Sequence, residues 1–310
     1  MGHILRKHPP RGRVPAGALV AILVASAFVS PALARIDAPT LWKKTFQASL
    51  VAQVTVLDGD NRMAVLAVNE VIKGEYHREQ LKVVFRAVNW SRDLWEDRIV
   101  FPEGARLVLF LQPFIKKGKV NAPDQFELVG GYHGIEDVPP EGNDAYLQAI
   151  RRFVTIQSQP SQLAIWKHAR ALLEEDNPYL VQAGFEQVLR FRLADEALVP
   201  VLLERMEDET VAFRTQSAQC LGDVLEDARR DDKTLLGGDH MRDLLLFTAT
   251  NDADVHVRVE AIRALEAGRD INLVPTFRRI ALEDPSQAVR YQAERTIHEI
   301  QGSAAATQDE

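Results

Sequence analysis

Four aspartates set the fold of the second half of this 310-residue chain. They are Asp176, Asp208, Asp252 and Asp284, separated by 32, 44 and 32 residues. Each is followed at fixed offsets by the same residue types. Five positions on stand Val181, Phe213, Val257 and Val289, and six positions on Gln182, Arg214, Arg258 and Arg290. Nine on are Phe185, Ser217, Ala261 and Ala293; thirteen on are Leu189, Leu221, Leu265 and Ile297. Offsets five, nine, twelve and thirteen share one face of a helix that turns about 100° per residue. A period of this length marks a stack of helix pairs, each unable to bury its apolar face without its neighbours.

The partner helices lie between these segments. Leu198 to Leu203, Leu244 to Phe247 and Leu273 to Phe277 are apolar runs, and Pro200 and Pro275 occupy matching places near a helix start. The middle step is about 12 residues longer, which predicts a loop over 227–240. That loop is either solvated or part of a binding surface.

Offset six lies at the edge of the buried stripe. An arginine there can pack its stem while its guanidinium reaches an aspartate of a neighbouring turn. We therefore expect a structural ladder of Asp208, Arg214, Asp252, Arg258, Asp284 and Arg290, with an anion site as the alternative. Cys220 falls at offset twelve, a packing slot, where a buried thiol is inert.

The pattern of aspartate, Val-Arg, then small and leucine positions resembles HEAT repeats, including the subgroup called PBS-lyase HEAT-like. DADVHVRVEAIRAL (252–265) and DPSQAVRYQAERTI (284–297) carry the resemblance most fully; DETVAFRTQSAQCL and DNPYLVQAGFEQVL carry it less. It implies that helices near 178–191, 210–225, 254–267 and 286–300 line a concave side. Polar residues there, Gln216, Gln219, Glu260, Arg263, Gln292 and Arg295, become candidate contacts for a protein or peptide.

The first half reads as β structure. Val-rich runs at 46–57, 62–72, 80–86, 106–112 and 125–132 are separated by turn signals such as Asp58-Gly59-Asp60-Asn61 and Lys73-Gly74. Five strands at this spacing predict a closed or nearly closed barrel. Trp90 and Trp95, between strands three and four, either plug the barrel end or form an exposed loop. The order VAQVTVL, AVLAVNEVIKG, LKVVF and EGARLVLFL resembles the netrin-like barrels related to tissue inhibitors of metalloproteinases. Those inhibitors act through an N-terminal cysteine and disulfides. This chain has one cysteine, so the resemblance bears on fold and not on inhibition. A helix is expected over 144–157, capped by Asp144, after a boundary at Pro139-Pro140-Glu141-Gly142.

Residues 1–34 have the three-part layout of a secretory signal peptide. Arg6, Lys7, Arg11 and Arg13 precede the apolar run Ala18 to Val29, and Ala32-Leu33-Ala34 is a small-residue cleavage pattern. The run is too short to span a bilayer. Without this leader the net charge changes from −7 to −11, and the excess of acid lies after residue 160. An acidic array argues against nucleic acid as partner.

The expected organisation is a signal peptide (1–34), an OB-like or netrin-like five-stranded β domain (35–140), a HEAT-like α-solenoid (141–301) and a disordered tail (302–310). The richest polar cluster, His133 with Glu136 and Asp137, fits a strand-end loop or, less well, a metal site. Asp58-Gly59-Asp60-Asn61 lacks the later glycine and closing glutamate of a calcium loop, and His298-Glu299 lacks a second histidine. The sequence has no nucleophile elbow, phosphate loop or dinucleotide fingerprint. The expectation is an exported, non-enzymatic binding scaffold, periplasmic or secreted, with no cofactor, no metal and no membrane anchor after cleavage. Three alternatives remain: a lyase-type factor handling a small molecule, a barrel-mediated regulator of an exported hydrolase, and a structural envelope component.

Overall fold

The computed structural model describes residues 39–60, 63–84, 101–116, 118–120, 122–138, 144–159, 162–235 and 237–306. The leader, Trp90 and Trp95, the 139–142 boundary and residues 307–310 lie outside these. Two cores organise the rest, one inside a β-barrel and one running along a helical array.

The barrel is built from β1 (Leu50–Gly59), β2 (Met63–Lys73), β3 (Gln80–Val84), β4 (Arg106–Pro113), the short hairpin β5 (Ile115–Lys116) and β6 (Lys119–Val120), β7 (Gln125–Leu128) and β8 (Ile135–Asp137). Its ring order is β1-β2-β3-β7-β4, closed by β4 pairing with β1. All ring contacts are antiparallel except β3 with β7, where Lys82 and Val83 face Gln125 and Phe126 in parallel. That order and single parallel joint make an OB-type barrel, and closure pairs each of the five ring strands on both sides.

The expected fifth strand, 125–132, is broken. Gly130 and Gly131 both take left-handed backbone angles (φ 68° and 65°), and a 3-10 turn over Gly131–Gly134 follows. The chain then resumes as β8 along the same side of β4, with Leu107 opposite Asp137 and Leu109 opposite Ile135. The break re-aims Glu136 and Asp137.

Strand β4 reads as an unbroken apolar run because both its faces are covered. Leu107, Leu109 and Leu111 point into the barrel; Val108 and Phe110 point out, under helix α2 (Ala145–Gln157). Strand β1 alternates likewise, with Ala52, Val54 and Val56 inside and Val51 outside.

The run expected as a strand from residue 46 begins instead as a helix, α1 (Leu41–Gln47). Thr40 caps it, accepting from the Lys43 amide at 3.3 Å. Lys73, at the end of β2, donates to the carbonyls of Thr45 and Phe46 at its C-terminus. Asp144 precedes α2 but makes no side-chain cap, contrary to expectation.

The array comprises α3 (Gln162–Leu173), α4 (Pro178–Phe191), α5 (Val199–Arg205), α6 (Val211–Arg230), α7 (Gly238–Asn251), α8 (Val255–Gly268), α9 (Val274–Glu283) and α10 (Gln287–Ala306). They pack as four hairpins, and the second helices α4, α6, α8 and α10 stack in a row. A Cβ on Gly222 of α6 would lie 3.0 Å from the Ala264 Cα of α8, so these two backbones approach as closely as glycine allows. Two expectations change here. The extra residues of the middle repeat do not form a loop from 227: α6 continues to Arg230, and the connection begins at Asp231. The last helix continues to Ala306, so the first five residues of the expected disordered tail are helical.

Helices α1 and α2 bridge the two cores through two smaller apolar clusters. Tyr146, Leu147 and Ile150 of α2 cover the barrel wall, while Trp42 of α1 and Ala149, Phe153 and Ile156 of α2 pack on Leu172, Leu180 and Ala183 of the first hairpin. Among the described residues no helix is long and apolar enough to cross a membrane.

Candidate functional site

The repeat aspartates and arginines meet across the array. Arg214 grips Asp252 with two bonds, Nε to Oδ2 at 2.8 Å and Nη2 to Oδ1 at 3.1 Å. Arg258 grips Asp284 in the same way, both bonds at 3.0 Å. The remaining nitrogen, Nη1, donates to backbone carbonyls: Arg214 to Asp208 O, Arg258 to Asp252 O and Arg290 to Asp284 O. Each aspartate also accepts the amide two residues on, at 2.7–2.8 Å from Thr210, Asp254 and Ser286. One side chain thus shapes the turn into its own helix and holds the previous repeat. Hydrogen bonding by Asp252 raises the Arg214 pKa further above its already high value.

Gln182 stands where the first repeat would need an arginine. Arg205 of α5 takes its place, donating to Leu173 O, Glu175 O and Asp208 Oδ2 at 2.9, 2.7 and 3.2 Å. This substitution across a helix pair is invisible to an offset count. At the far end, Arg290 bonds the carbonyls of Asp284 and Pro285 but no carboxylate among the described residues.

The candidate contact residues separate into two groups. Gln219, Arg263 and Arg295 are exposed, and Gln216 and Glu260 are half-buried. Gln292 is 3% exposed and ties α8 to α10: it donates to Glu266 at 3.0 Å and accepts from Arg263 Nε at 3.3 Å. Thr296 completes that knot with a 2.6 Å bond to the same Glu266 oxygen. Gln292 is therefore a strut rather than a free contact. Sequence reasoning passed over the acids of this row: Asp223 and Glu226, which face Arg192 at 3.7 and 2.9 Å, and Glu266, 3.7 Å from Arg295. Burial, joined by the charges of Glu226 and Asp227, raises the Asp223 pKa against the opposing pull of Arg192.

A second surface lies where barrel and array meet. A cavity of about 450 Å³ is lined from α1 (with Thr40 before it), β8, α2 and α4. Lys44, buried, pairs with Glu136 and sits 5.2 Å above the Phe110 ring. Glu186 accepts from the Thr40 hydroxyl, and its other oxygen lies 3.4 Å from Lys43 Nζ without a well-formed hydrogen bond. The Tyr146 hydroxyl is buried and makes no hydrogen bond of good geometry, although Glu136 is close. Burial first, then Glu136 and Tyr179, push the Tyr146 phenol pKa far upward, so it stays protonated. Gln182, released from ladder duty, lines the same cavity. Of the polar cluster noted in the sequence, Glu136 and Asp137 line this cavity; His133, in the 3-10 turn, does not. No group of three or more His, Cys, Asp and Glu among the described residues is arranged to hold a metal ion. Burial raises the Cys220 thiol pKa strongly, with Asp223 adding to it, so that thiol is no nucleophile.

What fold and surfaces define together is a protein with an OB-type barrel joined to a helical array. No protein-family model matches the sequence, and no curated protein matches it. Among solved structures, a chain described as an engineered protein is 16% identical, covering 52% of this chain and 76% of its own at a TM-score of 0.35. A superposition that loose adds nothing to the fold described above.

Proposed function

We propose that the protein is an exported, non-enzymatic scaffold that binds a protein or peptide along the second-helix row of its array. In this reading the array is of the HEAT type and the barrel of the netrin-like type, and residues 1–34 are removed on export. The observation that carries it is the division of labour on α6, α8 and α10. Their ladder side chains are spent on one another, while Gln219, Arg263 and Arg295 stay exposed on one continuous row. Such rows serve as extended recognition surfaces in repeat proteins. From residue 160 on the chain carries 28 acidic against 17 basic residues, which favours a partner segment with basic residues.

The test uses the chain from residue 35 as bait among exported proteins. One variant carries Gln219→Lys and Glu226→Lys; a control carries Arg278→Glu and Arg279→Glu on α9. The reading predicts a partner captured by wild type and control and lost, by about tenfold or more, from the lysine variant. Equal capture by all three would refute it. N-terminal sequencing of the exported protein, expected to begin at Arg35, tests the leader.

A further inference from the structure

The junction cavity is not needed for the array's recognition role, yet its chemistry is specific. We propose that it is a binding site for a small organic cation, an ammonium or guanidinium group carried on a short aliphatic chain.

Three features point the same way. The first is charge. Glu136, Asp137 and Glu186 line the cavity with Lys44 as the lone cation in its wall, and Lys44 is already committed to Glu136. Asp137 is left over, and Glu186 is engaged only by the Thr40 hydroxyl and Lys43. Asp137 has no ion pair among the described residues, and the nearest cation to Glu186 is the half-exposed Lys43, at 3.4 Å outside the lining. A carboxylate in a cavity wall gains most from a cation that brings its own hydrogen-bond donors.

The second is unfinished hydrogen bonding. Glu186 Oε1 and the Tyr146 hydroxyl are both sealed from solvent without a well-made bond, and both belong to cavity-lining residues. Tyr146 is 9% exposed. Buried polar atoms are rarely left so, because each pays its desolvation without a partner to offset it. An N–H donor reaching either oxygen would satisfy it, since a protonated phenol oxygen still accepts.

The third is the aromatic wall. Trp42, Tyr146 and Tyr179 all line the cavity, the two tyrosines meeting edge to face at 5.3 Å. Aromatic faces beside carboxylates stabilise organic cations and leave a strongly hydrated metal ion unfavoured. The volume lies within the range of small-molecule pockets.

The experiment is an amide chemical-shift titration of the chain from residue 35 at neutral pH and low salt. Four probes are added separately: butylammonium, butyltrimethylammonium, butylguanidinium and, as anionic control, butyrate. The proposal predicts saturable shifts for at least one cation, centred on residues 40–44, 136–137, 146 and 179–186, and none for butyrate. The three cations distinguish a primary amine, a quaternary amine and a guanidinium as the natural head group. Glu186→Gln should weaken binding about tenfold or more, as expected when a hydrogen bond to a charged group is removed. Tyr146→Phe, which keeps the ring packed, should weaken it less. Asp239→Asn, on a remote exposed acid, should leave it unchanged. Absence of saturable shifts with all three cations would overturn the proposal. So would shifts elsewhere, preference for butyrate, or unchanged affinity in folded Glu186→Gln and Tyr146→Phe. The array reading stands or falls separately, because it is tested by substitutions on α6 that do not touch this cavity.

Discussion

Arg258 shows how position in the ladder, rather than residue type, sets a side chain's worth. Its side chain is 8% exposed and that of its partner Asp284 6%. Removing one member of such a pair leaves a buried charge without compensation, at a cost of about 3–5 kcal/mol. Arg290 makes the same carbonyl bonds but ends the ladder, so its loss should cost about 1 kcal/mol. Denaturant unfolding of Arg258→Gln and Arg290→Gln should reproduce that difference; equal costs would mean that the ladder pairs carry no net stability. Asp223 works in the opposite sense. Its pKa is raised in the fold, so the folded state holds its proton more tightly than the unfolded chain. The stability linked to that proton is present below about pH 4 and is lost as pH rises through the folded pKa. At pH 7 the ionised side chain is therefore a cost. Asp223→Asn should raise the Tm at pH 7, and the gain should shrink to nothing in melts below about pH 4.

Among the elements, those with a repeated signal were legible and those set by tertiary contact were not. The apolar periods placed α4, α6, α8 and α10, because their buried faces recur at fixed offsets. The period-two runs placed β1 to β4, because their residues alternate between the barrel interior and an outer face that is covered on β1 and β4 and partly exposed on β2 and β3. Helix α1 escaped notice: its sequence, LWKKTFQ, has no long period, and it is fixed by the Thr40 cap, Lys73 and the Trp42 contact with Phe153, 5.2 Å between centroids. The break in the fifth strand rests on two left-handed glycines whose effect depends on β4 beside them. The cavity was hidden for the same reason. Its residues come from four elements, and Glu136 and Asp137 were noticed as a polar cluster without the helices that complete the wall. Gln182 was visible as an exception in the repeat, but its reason, substitution by Arg205, lies on another helix. The close approach of α6 and α8 gives an element-level prediction. Gly222→Val should destabilise by about 1–3 kcal/mol, since the added carbons must push against the Ala264 backbone. A Tm shift of less than a degree would show that the second helices can part without loss.

At the scale of the molecule, the two bridging helices decide how the protein behaves. Tyr146, Leu147 and Ile150 are buried on the barrel, and Ala149, Phe153 and Ile156 of the same helix on the array. Neither part can shed α2 without exposing its own apolar surface, so the barrel and the array should not unfold independently. The row on α6, α8 and α10 and the cavity beside α1 are then held in fixed relation. Differential scanning calorimetry of the chain from residue 35 tests this most directly. The account predicts one transition, with calorimetric and van't Hoff enthalpies equal. Two resolved transitions, with the barrel melting apart from the array, would contradict it.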